Sequence, residues 1–70
     1  MNIELVAWVR RLAKSGAARA LRESTGFSAS EIARELGVSP ATVCRWERGL
    51  RIPGERDAER WALILKRMSA

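Results

Sequence analysis

Gly37 and Pro40 stand three residues apart in the run Leu36-Gly37-Val38-Ser39-Pro40, and together they leave the backbone few options. A glycine just past a periodic apolar stretch takes the left-handed conformation that stops a helix. Ser39 offers a side-chain oxygen to the free amides of a new helix, and Pro40 suits its first position, where a missing N–H costs nothing. One helix therefore ends and another begins within three residues. The helix before the turn opens at Ser28, which makes with Glu31 the S-x-x-E spacing of a capping box. Phe27, one place earlier, can staple onto Ile32. Ile32, Ala33 and Leu36 recur at the spacing of one buried helix face. The helix after the turn directs Val43 and Trp46 inward, spans about residues 40–48, and ends at Gly49, with Pro53 barring easy continuation.

The rest of the chain reads as helix too. Asn2 can cap a first helix reaching about residue 14, with Leu5, Trp8 and Leu12 on one stripe and Val6, Val9 and Ala13 on a second beside it. Seventy residues bury only about 60% of their unfolded surface. This wide apolar arc is therefore expected to pack on the domain rather than to serve as a dimer surface or lie on a membrane. After Ser15-Gly16, a second helix over residues 17–25 carries Ala17, Ala18 and Ala20, small enough for close helix approach, with Leu21 toward the core. A last helix over residues 55–68 has Ala58, Trp61, Ala62, Leu65 and Met68 as its buried stripe. Its acidic start and basic end match the helix dipole. The expectation is an all-α, compact five-helix domain occupying residues 1–70, with the paired helices at 28–48 in the centre and residues 1–14 as an extra N-terminal helix.

Composition narrows the chemistry. Thirteen basic residues against eight acidic leave a net charge of +5, which favours a polyanionic partner. With no histidine and one cysteine, an intrachain disulfide, a four-ligand Cys/His zinc site and a His-based triad are excluded. No nucleophile, base and acid cluster in the sequence, so no enzyme, cofactor or metal site is expected. Apolar runs stay short of the ~18 residues of a membrane span, and Glu4, Arg10 and Arg11 interrupt the start of the chain, so no signal peptide is read. A reduced, cytoplasmic setting with no membrane and no small-molecule ligand follows. Cys44 reads as a small packing residue.

Two helices joined by a three-residue glycine turn form a helix-turn-helix, whose second helix enters the DNA major groove. The alternative, an ordinary helical hairpin, has no need of Arg45, Arg48 and Arg51 so close to the turn. The stretch resembles the Cro/C1-type (XRE-like) family of phage repressors. The residues that carry the resemblance are Ala33, Gly37, Val38, Ser39, Thr42, Val43, Arg45, Trp46, Glu47, Gly49 and Pro53, with Arg22 and Gly26 upstream. The resemblance implies a lambda-repressor-like fold. It also implies an ion pair between Arg22 and Glu47 that ties the second helix to the recognition helix, with Arg22 also reaching a backbone phosphate. The family often places glutamine where this chain has Ala29 and Pro40, one touching phosphate and the other base; this chain departs from it at both.

Ala41, Arg45 and Arg48 lie at i, i+4 and i+7, opposite Val43 and Trp46. Arg45 can donate two hydrogen bonds to guanine O6 and N7, while Ala41 and Thr42 offer methyl groups to thymine and Pro40 can pack on a base or sugar. DNA shape would supply the remaining specificity. Ser28 and Ser30, with the amides at that helix start, suit a phosphate, as does Ser39 at the start of the next helix. Arg48 and Arg51 leave the far end of the recognition helix toward the backbone. The expected function is a sequence-specific transcriptional regulator binding double-stranded DNA. By resemblance it is Cro-like or repressor-like, from a phage or mobile element, and dimeric on a palindromic operator, with no room for a ligand-sensing second domain. The alternatives are an excision or recombination accessory protein and an antitoxin-type interaction module. The latter would have to rely on the N-terminal helix, since only Ser69 and Ala70 follow the last one.

Overall fold

Three of the helices begin at a side chain that accepts from a free amide of the first turn. The computed structural model describes residues 2–69. Asn2 Oδ1 accepts from the Leu5 amide at 3.1 Å and opens α1, Ile3–Ser15. Helix α2 is Ala17–Thr25, and Gly16 with φ 85° makes the corner between the two. Ser28 opens α3, Ala29–Leu36, with both halves of the capping box formed. Ser28 Oγ accepts from the Glu31 amide at 3.1 Å, and the Ser28 amide donates to Glu31 Oε1 at 2.9 Å. Gly37 then takes φ 72°, and its amide and that of Val38 close back on the last turn of α3. Ser39 Oγ accepts from the Thr42 amide at 3.1 Å to open α4, Pro40–Glu47, with Pro40 at its first turn. A loop leads to α5, Glu55–Ser69. The described residues hold five helices and no strand.

The faces that pack follow the apolar spacing. On α1 the stripe Val6, Val9 and Ala13 is buried, while Leu5, Trp8 and Leu12 are half-buried beside it. The helix thus lies on α5 and α2. The Lys66 ammonium covers the exposed side of Trp8, 4.2 Å from the ring centroid. On α5 the buried stripe is Ala58, Trp61, Ala62 and Leu65, with Met68 half-buried at the edge. Trp61 meets Trp46 of α4 with ring centroids 5.2 Å apart and planes tilted by 43°, a separation at which aromatic rings attract. This contact ties the recognition helix to the last helix through the centre of the core.

Several expectations change in detail. Of the three small residues on α2, only Ala18 is buried; Ala17 is half-buried and Ala20 exposed, so close approach rests on one alanine. Phe27 is 45% exposed. It forms, with Ile32, Ile64 and Met68, part of the wall of an open groove between α3 and α5. Helix α4 ends at Glu47, and Arg48 is its cap. Helices α1 and α5 each run one residue further than expected, to Ser15 and Ser69.

One contact has a pH signature. Hydrogen bonds from the Ser28 amide and hydroxyl hold the Glu31 carboxyl below its ordinary value. A group depressed on folding stabilises the fold above its unfolded value, near about 4.3 for glutamate, and that contribution is lost as pH falls through the folded value. Thermal melts of wild type and Glu31→Ala should therefore differ at pH 7, with the gap closing in acid below about pH 4. A gap constant across that range would show that the carboxylate charge plays no part.

Candidate nucleic-acid interface

The recognition helix α4 is fixed by its inner face. Val43 and Trp46 are buried in the core. Glu47 is the one buried charged residue among those described, its side chain only 3% exposed. A carboxylate so far from water needs a cation and hydrogen bonds, and Arg22 from α2 supplies both. Arg22 Nε donates to Glu47 Oε2 at 2.7 Å and Nη2 to Oε1 at 3.0 Å, a two-pronged pair, the geometry that gives arginine–carboxylate pairs strength and direction. The third nitrogen, Nη1, donates to the Phe27 carbonyl at 2.8 Å. One guanidinium thus joins α2, the entry to α3 and the end of α4. The hydrogen bond to Glu47 raises the Arg22 pKa above its ordinary value. Arg22 is 12% exposed and every one of its nitrogens donates to a protein oxygen. In this structure the guanidinium braces the three helices.

With the inner face held, the outer face is free. Pro40, Ala41 and Arg45 are exposed and Thr42 is half-buried. The Thr42 hydroxyl lies 2.8 Å from Ser39 Oγ, so these two hydroxyls are engaged with each other at the helix start. Arg48 and Arg51 are exposed past the helix end. The ion pairs among the described residues are Arg19–Glu23 and Arg22–Glu47, so Arg45, Arg48 and Arg51 meet no carboxylate. Across the turn, Ser28 and Ser30 are exposed at the start of α3. Ser28 is committed to the capping box, whereas the Ser30 hydroxyl makes no hydrogen bond among the described residues. The described residues contain no group of metal-ligating side chains and no helix long and apolar enough to cross a membrane.

A family model described as a helix-turn-helix domain matches residues 16–67, about three quarters of the chain. The chain belongs to the helix-turn-helix domain family, of the XRE/Cro-like regulator type. No curated protein and no solved structure gives a significant match. The family match spans α2 to α5 and leaves α1 outside it. Membership supports a DNA-binding regulator as the function class.

Two positioning residues escaped the sequence reading. Arg60 of α5 donates to the Leu36 and Glu35 carbonyls at 3.0 and 3.1 Å. It satisfies the free carbonyls at the end of α3 and places a positive charge at the negative end of that helix. Arg10 of α1 donates from Nη2 to the Pro53 carbonyl at 3.0 Å, strapping the loop after α4. Both contacts cross more than twenty residues, and nothing in local spacing marks them.

The brace gives a direct test. Removing either Arg22 or Glu47 leaves its partner's charge unmatched, so each alanine variant should lose about 3 kcal/mol of stability. The double variant should lose clearly less than the sum, as coupled neighbours do. Chemical denaturation of the four proteins in the cycle measures this, and strict additivity would mean the two groups do not act as a pair.

Proposed function

We propose that the chain is a sequence-specific transcriptional regulator that places α4 in the major groove of double-stranded DNA. The observation that carries this reading is Arg45. It is exposed, has no acidic partner among the described residues, and is mounted beside Ala41 on a helix whose opposite face is braced by Trp46 and Glu47. A guanidinium held ready in this way suits bidentate donation to guanine, the commonest specific contact in that groove. Pro40, Ala41 and Thr42 line the same leading end and read bases by packing. Ser28, Ser30 and Ser39 at the helix starts, with Arg48 and Arg51 beyond the recognition helix, take backbone phosphates and set the register. The closest functional fit is a Cro-like or repressor-like protein of a phage or mobile element acting at a palindromic operator.

Two variants separate reading from positioning. Arg45→Ala should cost about 1–3 kcal/mol on the specific site and relax preference at one base position. Arg51→Ala should weaken operator and scrambled duplex about equally and shallow the salt dependence by roughly one unit. Titrations of both duplexes at several salt concentrations check this. Equal loss on both duplexes for Arg45→Ala would reduce Arg45 to a phosphate contact and move base reading to Pro40, Ala41, Thr42 or DNA shape.

Assembly follows from the remaining apolar surface. The exposed large apolar side chains, Ile3, Phe27, Leu50, Ile52 and Leu63, are spread over four segments rather than gathered into one broad patch. Stable dimers bury far larger continuous surfaces. The protein should therefore sediment as a monomer or weak dimer at micromolar concentration and load two copies onto a palindromic duplex. A tight dimer without DNA, with Trp8 shielded from quenchers, would overturn this and assign α1 to the interface.

A further inference from the structure

The helix that the family match leaves out also reaches the proposed DNA side of the molecule. Between the end of α1 and the end of α4 lies a hollow of about 220 Å³, walled in part by Arg10, Lys14, Trp46, Arg51, Ile52 and Pro53. Ala13 and Gly49 complete a mostly apolar lining in which three of the eight residues are cations, and no carboxylate lies within ion-pair distance of any of the three among the described residues. Arg10 is held there by its bond to the Pro53 carbonyl, and its Nε is buried without a hydrogen-bond partner. Lys14 is exposed at the last turn of α1. Like charges gathered in one place repel, and an anion seated among them relieves that repulsion. The apolar side of the hollow, Ile52 and Pro53, suits the sugar that accompanies a backbone phosphate.

We propose that this hollow seats one phosphate of the DNA backbone, and that Lys14 is a phosphate-binding residue supplied by α1 from outside the family domain. Arg10 acts as a positioning residue that strings the loop carrying Arg51 across the same seat. The inference rests on the DNA-binding reading above. It extends the contact beyond the helix-turn-helix, so that α1 serves both as a core layer and as an added electrostatic grip.

The test uses the full chain, an operator duplex and a scrambled duplex, titrated by fluorescence anisotropy at several salt concentrations. Lys14→Ala should weaken both duplexes alike and lower the salt slope by about one unit. Between roughly 50 and 200 mM salt, wild type should then lose about three- to fourfold more affinity than the variant. Arg10→Lys, which keeps the charge, should retain the salt slope, whereas Arg10→Met should lower it. Arg56→Ala, on the acidic end of α5, should leave the slope unchanged. A Lys14→Ala protein that follows wild type on both duplexes at every salt concentration overturns the inference while leaving the DNA reading intact. A wild type that binds neither duplex overturns that reading, and this inference with it. Inorganic phosphate added without DNA at fixed ionic strength should give no saturable tryptophan response. A saturable response lost in Lys14→Ala would assign the seat to a free anion instead.

Discussion

The buried carboxylate of Glu47 is the constraint on which the rest of the interface depends. A charge 3% exposed to water would be costly alone. It is tolerated because Arg22 meets both of its oxygens. Replacing such a pair by well-packed apolar residues is often neutral or stabilising, so stability alone does not explain its presence. Its geometry does more. A planar fork on α2 and a carboxylate at the end of α4 fit in one relative orientation, and the same fork reaches the Phe27 carbonyl at the entry to α3. Three helices are thereby locked in register at their shared corner. An apolar contact at that place would leave α4 freer to roll.

Rigidity on the inside is what makes the outside usable. Trp46 against Trp61 and Val43 in the core stop α4 from shifting, and Arg60 fixes the far end of α3 across from it. Neighbouring side chains on a single short helix are thus divided cleanly. Val43, Trp46 and Glu47 belong to the fold, while Ala41, Arg45 and the capping Arg48 belong to the surface. Arg45 and Arg48 have no acidic partner among the described residues. Their positive charge is available to an external polyanion, which is how non-specific attraction to DNA precedes specific reading.

Helix α1 shows how a short chain completes itself. The helix-turn-helix family domain covers residues 16–67, yet Val6, Val9 and Ala13 from outside those bounds are buried in its core. A domain this small has little interior, and one added apolar face raises the buried fraction appreciably. The same helix straps the loop after α4 through Arg10. Its polar edge therefore shapes the path of a segment forty residues away.

Local sequence determined the helices, their caps and the turn. Ser28 with Glu31, Gly37, Ser39 and Pro40 act within three or four residues of themselves, so their chemistry is visible before any fold exists. The family resemblance supplied the Arg22–Glu47 pair, which spacing alone would not have revealed. Only the tertiary structure decided which apolar stripe of α1 is buried, that Ala18 alone makes the close approach on α2, and that Phe27 stays half in solvent. Those outcomes depend on which neighbour arrives at each face, and periodicity marks an apolar face without naming what covers it. Arg10 and Arg60 show the same limit for charge. In the sequence each is one basic residue among thirteen, and its role exists only once a carbonyl 43 or 24 residues away is brought within about 3 Å.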